Sequence, residues 1–228
     1  MTTSLITARG ITRAYRSPAG AQTVVLDDVD LEIEAGSFTC LTGPSGSGKS
    51  TLLHCLSGLD RPDRGRVRFD GMDLGELDDR RASRLRRERM GFVFQHADFL
   101  DELSVGENVL LPVLARRGAA ARGTRRWVDA LFERLGVGHV RDSRPAALSG
   151  GERQRAGICR ALVNRPDVVF ADEPTGALHR DAADAVVELF AELHRGGTTV
   201  VLVTHDPVVA ERAGTRHHLL DGRLDAVR

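Results

Sequence analysis

The sequence predicts an α/β fold built on a mostly parallel sheet. Two apolar runs without polar alternation, residues 168–171 and 199–203, carry this prediction, because strands of that kind are covered on both faces. Between them lies a helical pattern whose apolar residues share one face: Val186, Leu189, Phe190 and Leu193. The pattern stops at Gly196 and Gly197, and a strand–helix–strand unit of this kind places its two strands in parallel.

The first 35 residues alternate apolar and polar stretches, which is typical of antiparallel strands, with a break at residues 17–20. A compact buried strand is predicted at residues 38–41, directly before a glycine-rich loop. The helix after that loop is predicted to place four leucines on one face: Leu52, Leu53, Leu56 and Leu59. Residues 67–69 are predicted to form a strand that enters a turn at Asp70 and Gly71.

From about Asp78 to Leu148 the pattern becomes helical and richly charged, with one strand at residues 91–94. We therefore expect a single domain over residues 1–228 in which a helical subdomain is inserted into an α/β core. The predicted parts are a catalytic core with its N-terminal antiparallel β-subdomain at residues 1–95 and 160–228, and the helical subdomain at residues 96–159.

The composition excludes several classes of protein. The 32 basic and 32 acidic residues balance, so the chain lacks the positive excess of a general nucleic-acid binder. Six arginines fall between Arg80 and Arg89, but the acidic residues among them favour a solvated helix face. Three cysteines in unrelated contexts make a disulfide framework improbable and favour a reducing compartment. Since no run of about 20 apolar residues occurs, we expect no membrane span in this sequence.

Residues 43–50 match the phosphate-binding loop pattern Gly-x4-Gly-Lys-Ser/Thr, and they contain the one lysine among the 32 basic residues. Glycines allow the amides of such a loop to point inward at phosphate, and the following helix N-terminus adds partial positive charge. Lys49 is predicted to reach the β and γ phosphates, and the Ser50 hydroxyl to hold Mg²⁺. The predicted nucleotide-binding residues of this segment are Gly43, Pro44, Ser45, Gly46, Ser47, Gly48, Lys49, Ser50 and Thr51.

Three further polar residues follow the two predicted parallel strands. Asp172 and Glu173 come directly after one strand, and His205 follows the other, so all three should lie at the same sheet edge as the phosphate loop. We expect Asp172 to hold Mg²⁺, Glu173 to accept a proton from the attacking water, and His205 to contact the γ-phosphate. Alternatively, Asp172 and Glu173 form only a solvated acidic turn, and His205 only caps the end of its strand.

A second anion-binding helix start is predicted near residue 149. Ser149 is a good N-cap, and Gly150 and Gly151 leave the backbone bare. The phosphates of one nucleotide already fill the loop around Lys49, so this second site either serves another ligand or faces the nucleotide of a second copy. Glycines also begin helices for steric reasons alone.

Together these motifs resemble the ATP-binding cassette (ABC) ATPase family from one end of the sequence to the other. The matching positions are the Walker A motif at residues 43–51, the Q-loop at Gln95, the signature motif at 148–154, the Walker B motif at 168–173 and the switch histidine at His205. Tyr15, the only tyrosine, stands where the family places an aromatic ring that stacks on adenine. The resemblance implies a P-loop NTPase (RecA-like) core that hydrolyses ATP with Mg²⁺, and it adds Gln95 to the Mg²⁺ ligands and to the catalytic residues.

The resemblance also implies a head-to-tail dimer that sandwiches two ATP molecules. Each would lie between the Walker A motif of one copy and four signature residues of the other: Ser149, Gly150, Gly151 and Glu152. The sequence departs from the family at one position, because the D-loop usually ends in aspartate and this chain has His179. We expect this histidine to weaken the coupling between the two sites or to slow hydrolysis without abolishing it.

Residues 58–62, 106–109 and 172–176 resemble the lipoprotein-release and macrolide-export subfamily. We therefore expect a peripheral subunit at the cytoplasmic face of the inner membrane that drives separate transmembrane permease subunits and contacts the membrane only through them. The alternative is an ATPase like FtsE, which signals across the membrane to cell-wall hydrolases without transport; the catalytic motifs do not separate the two.

An apolar set after Gln95 either lines a groove for a partner helix or packs as subdomain core. Core packing is the more frequent outcome for such residues. The set comprises Phe99, Leu100, Leu103, Val105, Val109 and Leu111.

Overall fold

A computed structural model describes residues 4–16, 20–95, 97–114 and 121–227, so residues 17–19 of the predicted break lie outside the described part. The strands are β1 Ser4–Arg16, β2 Gln22–Glu34, β3 Phe38–Thr42, β4 Arg64–Phe69, β5 Met72–Asp73, β6 Met90–Val93, β7 Val168–Asp172, β8 Thr199–Val203, β9 Thr215–Leu220 and β10 Arg223–Val227. The α-helices are α1 Lys49–Leu56, α2 Asp79–Arg89, α3 Val105–Leu114, α4 Ala121–Arg134, α5 Gly150–Leu162, α6 Arg180–Arg195 and α7 Pro207–Ala210.

The N-terminal strands form the predicted antiparallel sheet, with the strand order β2-β1-β4-β5. The pairing of β1 with β2 is broken by several register shifts, one of them between Arg13 and Ala14. On its other side β1 pairs with β4, the strand that follows α1. As a result, the loop between α1 and β4 lies beside the end of β1, where the backbone N–H of Asp63 donates to the carbonyl of Thr12 at 2.8 Å.

The core sheet has the strand order β10-β9-β3-β8-β7-β6 and is parallel except for β10 at its edge. This arrangement confirms the predicted mostly parallel α/β core. Strands β3, β8 and β7 are neighbours in the sheet, so their carboxyl ends meet at one edge. The segments that follow these three strands contain the phosphate loop, Glu173 and His205.

Apolar cores lie on both faces of the parallel sheet, which explains why its strands lack polar alternation. In β7, Val168 and Phe170 pack with α1 and the antiparallel sheet, whereas Val169 and Ala171 pack with helices α3 to α7. All three cysteines are buried and free, and burial raises the pKa of each thiol to about 12. None of the three cysteines forms a disulfide in the structure.

The structure differs from the prediction at the end of α1, and the apolar set after Gln95 divides between core and surface. Helix α1 ends at Leu56, so Leu59 lies beyond it and is 42% exposed instead of sharing the buried helix face. Val105 and Val109 are fully buried in the core, while Leu100 is 53% exposed. The hairpin of β9 and β10 was not predicted. The helical subdomain was predicted to end at residue 159, but helix α5 continues to Leu162. The division of the chain into a core and a helical subdomain remains a proposal.

Candidate nucleotide-binding site

The loop after β3 has a backbone that only glycine fits. Gly43 has φ 144° and a Cβ there would lie 2.2 Å from the carbonyl oxygen of Leu219. Gly48, the N-cap of α1, has φ 101° and a Cβ there would lie 2.7 Å from the carbonyl oxygen of Val25. Both distances are shorter than any real Cβ contact, so the closeness of neighbouring backbone requires these two glycines.

Lys49 is the first residue of α1, and its side chain folds back over the loop. The ammonium donates to the carbonyl oxygens of Gly43 at 3.0 Å and Pro44 at 2.8 Å. Among the described residues, no carboxylate forms a salt bridge with Lys49. Within the described residues, its positive charge is therefore not neutralised by a salt bridge and, with the N-terminus of α1, is available for phosphate.

A cavity of about 480 Å³ opens over this loop. Its lining brings together most of the predicted site residues: Gly43, Ser45, Gly46, Gly48, Lys49, Ser50, Thr51, Gln95, Asp172, Glu173 and His205. Val25, Gly176 and Val203 also line it and were not predicted. The place of Val25 depends on how the β1–β2 ribbon lies over the loop, and the sequence pattern gives no signal for that.

Other predicted site residues do not line this cavity. Tyr15 lies on β1, and the exposed Pro44 contributes its carbonyl to Lys49. Ser47 is buried, and its hydroxyl has no hydrogen-bond partner within the described part of the chain. The signature residues 149–152 lie at the start of α5.

Glu173 and His205 lie side by side at the carboxyl edge of the sheet. The Nδ1 of His205 lies 2.8 Å from Oε1 of Glu173, and because an ionised carboxylate can only accept, the imidazole donates. The backbone of Glu173 has φ 47°, a left-handed conformation that is uncommon for a residue with a side chain. The hydrogen bond from its N–H to the carbonyl of Val203 at 2.9 Å fixes this conformation.

The oxygen donors in the cavity suit Mg²⁺. Ser50 offers a hydroxyl, Gln95 an amide oxygen and Asp172 a carboxylate, and all three line the same cavity. Within the described ranges, no group of three or more His, Cys, Asp or Glu side chains could hold a metal ion. A site with one carboxylate is still typical for Mg²⁺, which takes few protein ligands and completes its shell with water and substrate phosphates.

Gln154 connects the signature helix to this site. Its side chain is buried, and its amide donates to the carbonyls of Phe94 at 3.0 Å and Pro174 at 3.3 Å. These carbonyls belong to the residues directly before Gln95 and directly after Glu173. The sequence placed Gln154 in the signature motif but gave it no role, and its partners could be recognised only in the structure.

Ser149 is the N-cap of α5, as predicted, and it forms a capping box with Glu152. The Glu152 carboxylate accepts from the Ser149 hydroxyl at 2.6 Å, from the Ser149 N–H at 2.9 Å and from the His139 ring at 2.8 Å. The hydrogen bonds from Ser149, followed by the one from His139, lower the pKa of Glu152 to about 2. The carboxylate is therefore anionic throughout the physiological range.

The parallel sheet, the glycine loop before α1 and the acidic strand end define a nucleotide-binding protein of the P-loop NTPase class. Residues 26–176 match the family model described as ABC transporter, and the chain belongs to that family. It is an ATP-binding cassette of the LolD and MacB type and, by its enzyme class, an ATPase.

Two curated relatives illustrate this type. The chain is 47% identical over 90% of its length to the lipoprotein-releasing system ATP-binding protein LolD of Anaeromyxobacter dehalogenans, covering 86% of that protein. It is 46% identical over 98% of its length to the macrolide export ATP-binding/permease protein MacB 1/2 of Paracoccus denitrificans, covering 33% of that protein. The chain thus spans about a third of the length of the MacB relatives that it matches.

The fold is also that of a solved cassette. The dimeric structure of a post-hydrolysis state of the ATP-binding cassette MJ0796, bound to ADP and Pi, superposes with a TM-score of 0.91 at 35% identity, covering 98% of this chain and 99% of that one. Within the described ranges, no helix has the length and the apolar character needed to cross a membrane.

Proposed function

We propose that this chain is the ATP-hydrolysing subunit of an ABC transporter and that two copies clamp two Mg-ATP between them. One observation carries the proposal: a single cavity contains Asp172, Glu173 and His205 together with Lys49 on a glycine loop, and Lys49 forms no salt bridge within the described part of the chain. The lysine and the glycine loop suit the binding of a triphosphate, and the two carboxylates and the imidazole suit its hydrolysis.

Each residue of the cavity has a defined task in this proposal. The loop amides and Lys49 hold the phosphates, and Glu173 accepts the proton of the attacking water. His205 contacts the γ-phosphate with its ring and, through Nδ1, orients the carboxylate of Glu173. Ser50, Gln95 and Asp172 hold Mg²⁺, which when bound neutralises charge on the phosphate oxygens.

A second copy would complete the site. The signature residues Ser149 to Glu152 are exposed or half-buried at the start of α5 and do not line the cavity of their own chain. The relative MJ0796 forms a dimer in its ADP-bound and Pi-bound structure. We infer that the N-terminus of α5 of one copy faces the phosphates bound by the other copy.

The output is proposed to be mechanical work on separate membrane-spanning permease chains at the cytoplasmic face of the inner membrane. The relatives named for lipoprotein release and macrolide export favour transport by export or by extraction of lipoproteins or lipids. No observation on this chain favours the FtsE-like alternative.

A groove of about 480 Å³ between the core and the helical subdomain is proposed to receive a cytoplasmic helix of such a permease. Its apolar wall suits the apolar face of an amphipathic helix and includes Leu59, Met90, Phe92, Phe94, Leu111 and Pro112. Of the residues predicted for a partner groove, only Leu111 lines it, while Val105 and Val109 pack in the core.

Three arginines define the charge of the proposed occupant. Arg86, Arg87 and Arg160 line the groove, and within the described residues none of them forms a salt bridge. The Nε of Arg87 is buried without a hydrogen-bond partner, and the guanidinium of Arg160 lies 4.8 Å over the ring of Phe99. Unpaired, partly buried cations favour an occupant that carries carboxylates.

The groove is tested by Leu59→Arg, with Leu220→Arg as a matched control because these leucines are 42% and 45% exposed. Tagged chain is purified from detergent-solubilised membranes, and the membrane-spanning chain that accompanies it is identified and sequenced. We expect Leu59→Arg to lose that chain while Leu220→Arg retains it. Equal retention by both variants, or a partner without acidic cytoplasmic helices, contradicts the proposed groove.

The hydrolytic role is tested by comparing Glu173→Gln with Glu211→Gln, an exposed control. We expect Glu173→Gln to bind Mg-ATP but to lose at least about a hundredfold in turnover, because a general base contributes on that order. The control should match the parent. Parental turnover by Glu173→Gln would show that another group is the base.

A further inference from the structure

A network of hydrogen bonds surrounds Tyr15, which is 41% exposed near the end of β1. Its hydroxyl donates to Oδ2 of Asp60 at 2.7 Å. Arg13 donates two hydrogen bonds of 2.9 Å to the same carboxylate, from Nε to Oδ2 and from Nη2 to Oδ1. The Arg13 guanidinium also lies over the Tyr15 ring, 4.7 Å from its centroid, so Tyr15 is held at its edge and on one face.

A second carboxylate fixes the backbone on which Tyr15 stands. Asp63 accepts from Nη1 of Arg13 at 2.9 Å and from the backbone N–H of Ala14 at 2.7 Å. Desolvation opposes the charge of Arg13, but its bonds to Tyr15 and Asp60 outweigh that effect and raise its pKa. The N–H of Ala14, followed by Arg13, lowers the pKa of Asp63. Both shifts favour the charged forms of Arg13 and Asp63.

Both carboxylates belong to the loop that follows α1. This helix begins at the phosphate loop and ends at Leu56, so one short element connects Lys49 to Asp60. In the β1–β2 ribbon Tyr15 pairs with Thr23, and Val25, two residues further along β2, lines the phosphate cavity. Two strand residues span about 7 Å, which places Tyr15 beside the cavity, where the nucleoside part of a bound nucleotide would extend.

We propose that Asp60 and Arg13 are positioning residues that hold Tyr15 as a fixed platform for the nucleotide base. This inference rests on the proposed function, because it requires a nucleotide in the adjoining cavity. Since Arg13 covers one face of the ring, the base stacks on the other face. A ring that is already fixed loses little conformational entropy when the base binds, so the network increases affinity for the nucleoside without contacting the phosphates.

The experiment compares ATP with tripolyphosphate, a probe that has the phosphates but no base. Dissociation constants are measured by calorimetry with Mg²⁺ for the parent, Asp60→Ala and Glu32→Ala. Glu32 is the matched control, since its carboxylate pairs with Arg9 between the same two strands. We expect Asp60→Ala to weaken ATP binding about threefold to tenfold, within the range of one ordinary net hydrogen bond, and to leave tripolyphosphate binding unchanged. KM for ATP should rise by a similar factor, with a smaller change in kcat.

A double-mutant comparison tests whether Asp60 acts through Tyr15. In a Tyr15→Ala background, adding Asp60→Ala should cause no further loss of ATP affinity. Tyr15→Phe, which keeps the ring and removes only the hydroxyl, should cause a smaller loss, again confined to ATP. If Asp60→Ala does not fold, Tyr15→Phe still tests whether the hydrogen bond between Tyr15 and Asp60 contributes to ATP affinity.

Three results would overturn the inference: an equal loss of tripolyphosphate binding, a further loss in the Tyr15→Ala background, or unchanged ATP affinity in Asp60→Ala and Tyr15→Phe. The underlying function has a separate control. If Lys49→Ala abolishes ATP binding while Tyr15→Ala does not weaken it, the platform is wrong and the ATPase assignment stands. If Lys49→Ala binds both probes like the parent, the nucleotide site itself is wrong.

Discussion

At the scale of single residues, Glu173 adopts a backbone conformation that is unfavourable for a residue with a side chain. A left-handed φ of 47° costs a residue other than glycine about 1–2 kcal/mol. The conformation persists because Val203 holds the N–H and His205 holds the carboxylate. Strain of this kind concentrates at functional sites, where the position of one group matters more than its local stability.

Glu152 gives a prediction for pH dependence. Its pKa is lowered from 4.5 to about 2 by the bonds from Ser149 and His139, so its ionised form stabilises the folded state. This contribution is complete above pH 4.5 and is lost as the pH falls towards 2. Urea unfolding should therefore show Glu152→Gln less stable than the parent at pH 7, with a gap that narrows steadily below pH 4.5. A gap that widens on acidification would contradict this linkage.

His179 gives a prediction that separates stability from activity. It is exposed at the N-cap of α6 and makes no capping bond with its side chain. Aspartate caps helices well, so His179→Asp should raise the unfolding free energy by roughly 0.5–1 kcal/mol. It should also raise the ATPase rate, if the histidine weakens the coupling between the two sites. Higher stability at an unchanged rate would leave the cap correct and the coupling hypothesis wrong.

At the scale of elements, Asn108 fixes the segment between the Q-loop and α3. It is fully buried, and its amide group donates to the carbonyls of Leu100, Leu103 and Ser104 and accepts from the N–H of Leu100. One side chain thus satisfies a loop that would otherwise carry unpaired backbone groups. Leu100, 53% exposed, remains on the surface of that loop.

Asn108→Asp tests this role without changing the shape of the side chain. It removes the donors that face three carbonyls and buries a carboxylate, so we expect a loss of about 3–5 kcal/mol in unfolding free energy at neutral pH. Denaturant unfolding followed by circular dichroism measures it. Ser104→Ala, which removes only the hydroxyl that accepts from Glu107, serves as the milder comparison. A cost below about 1 kcal/mol would show that the loop is held by other contacts.

The sequence was most informative where burial is uniform along an element. Strands β7 and β8 could be predicted because apolar cores on both sides of the sheet leave no polar position. Leu59 was misplaced because its helical spacing continues past the end of α1, where Gly58 with φ 65° changes the chain direction. The β9–β10 hairpin had a usable sequence signal in the Asp221-Gly222 dipeptide, which is typical of two-residue turns, and both residues have positive φ in the structure.

At the scale of the whole molecule, the predicted site divides into two groups. Residues at the carboxyl ends of neighbouring strands came together in one cavity, because parallel topology fixes where strands end. The contacts of Tyr15 and Gln154 could not be predicted, since they depend on how loops distant in sequence pack together. The signature residues lie outside the cavity, and under the proposed function a second copy would supply them.

The most direct test is the association state of Glu173→Gln, measured by light scattering with saturating Mg-ATP and again without nucleotide. If two copies close around unhydrolysed triphosphate, this variant should be monomeric without nucleotide and stably dimeric with Mg-ATP. A protein that binds Mg-ATP and yet remains monomeric would contradict the shared site and indicate an ATPase that acts alone.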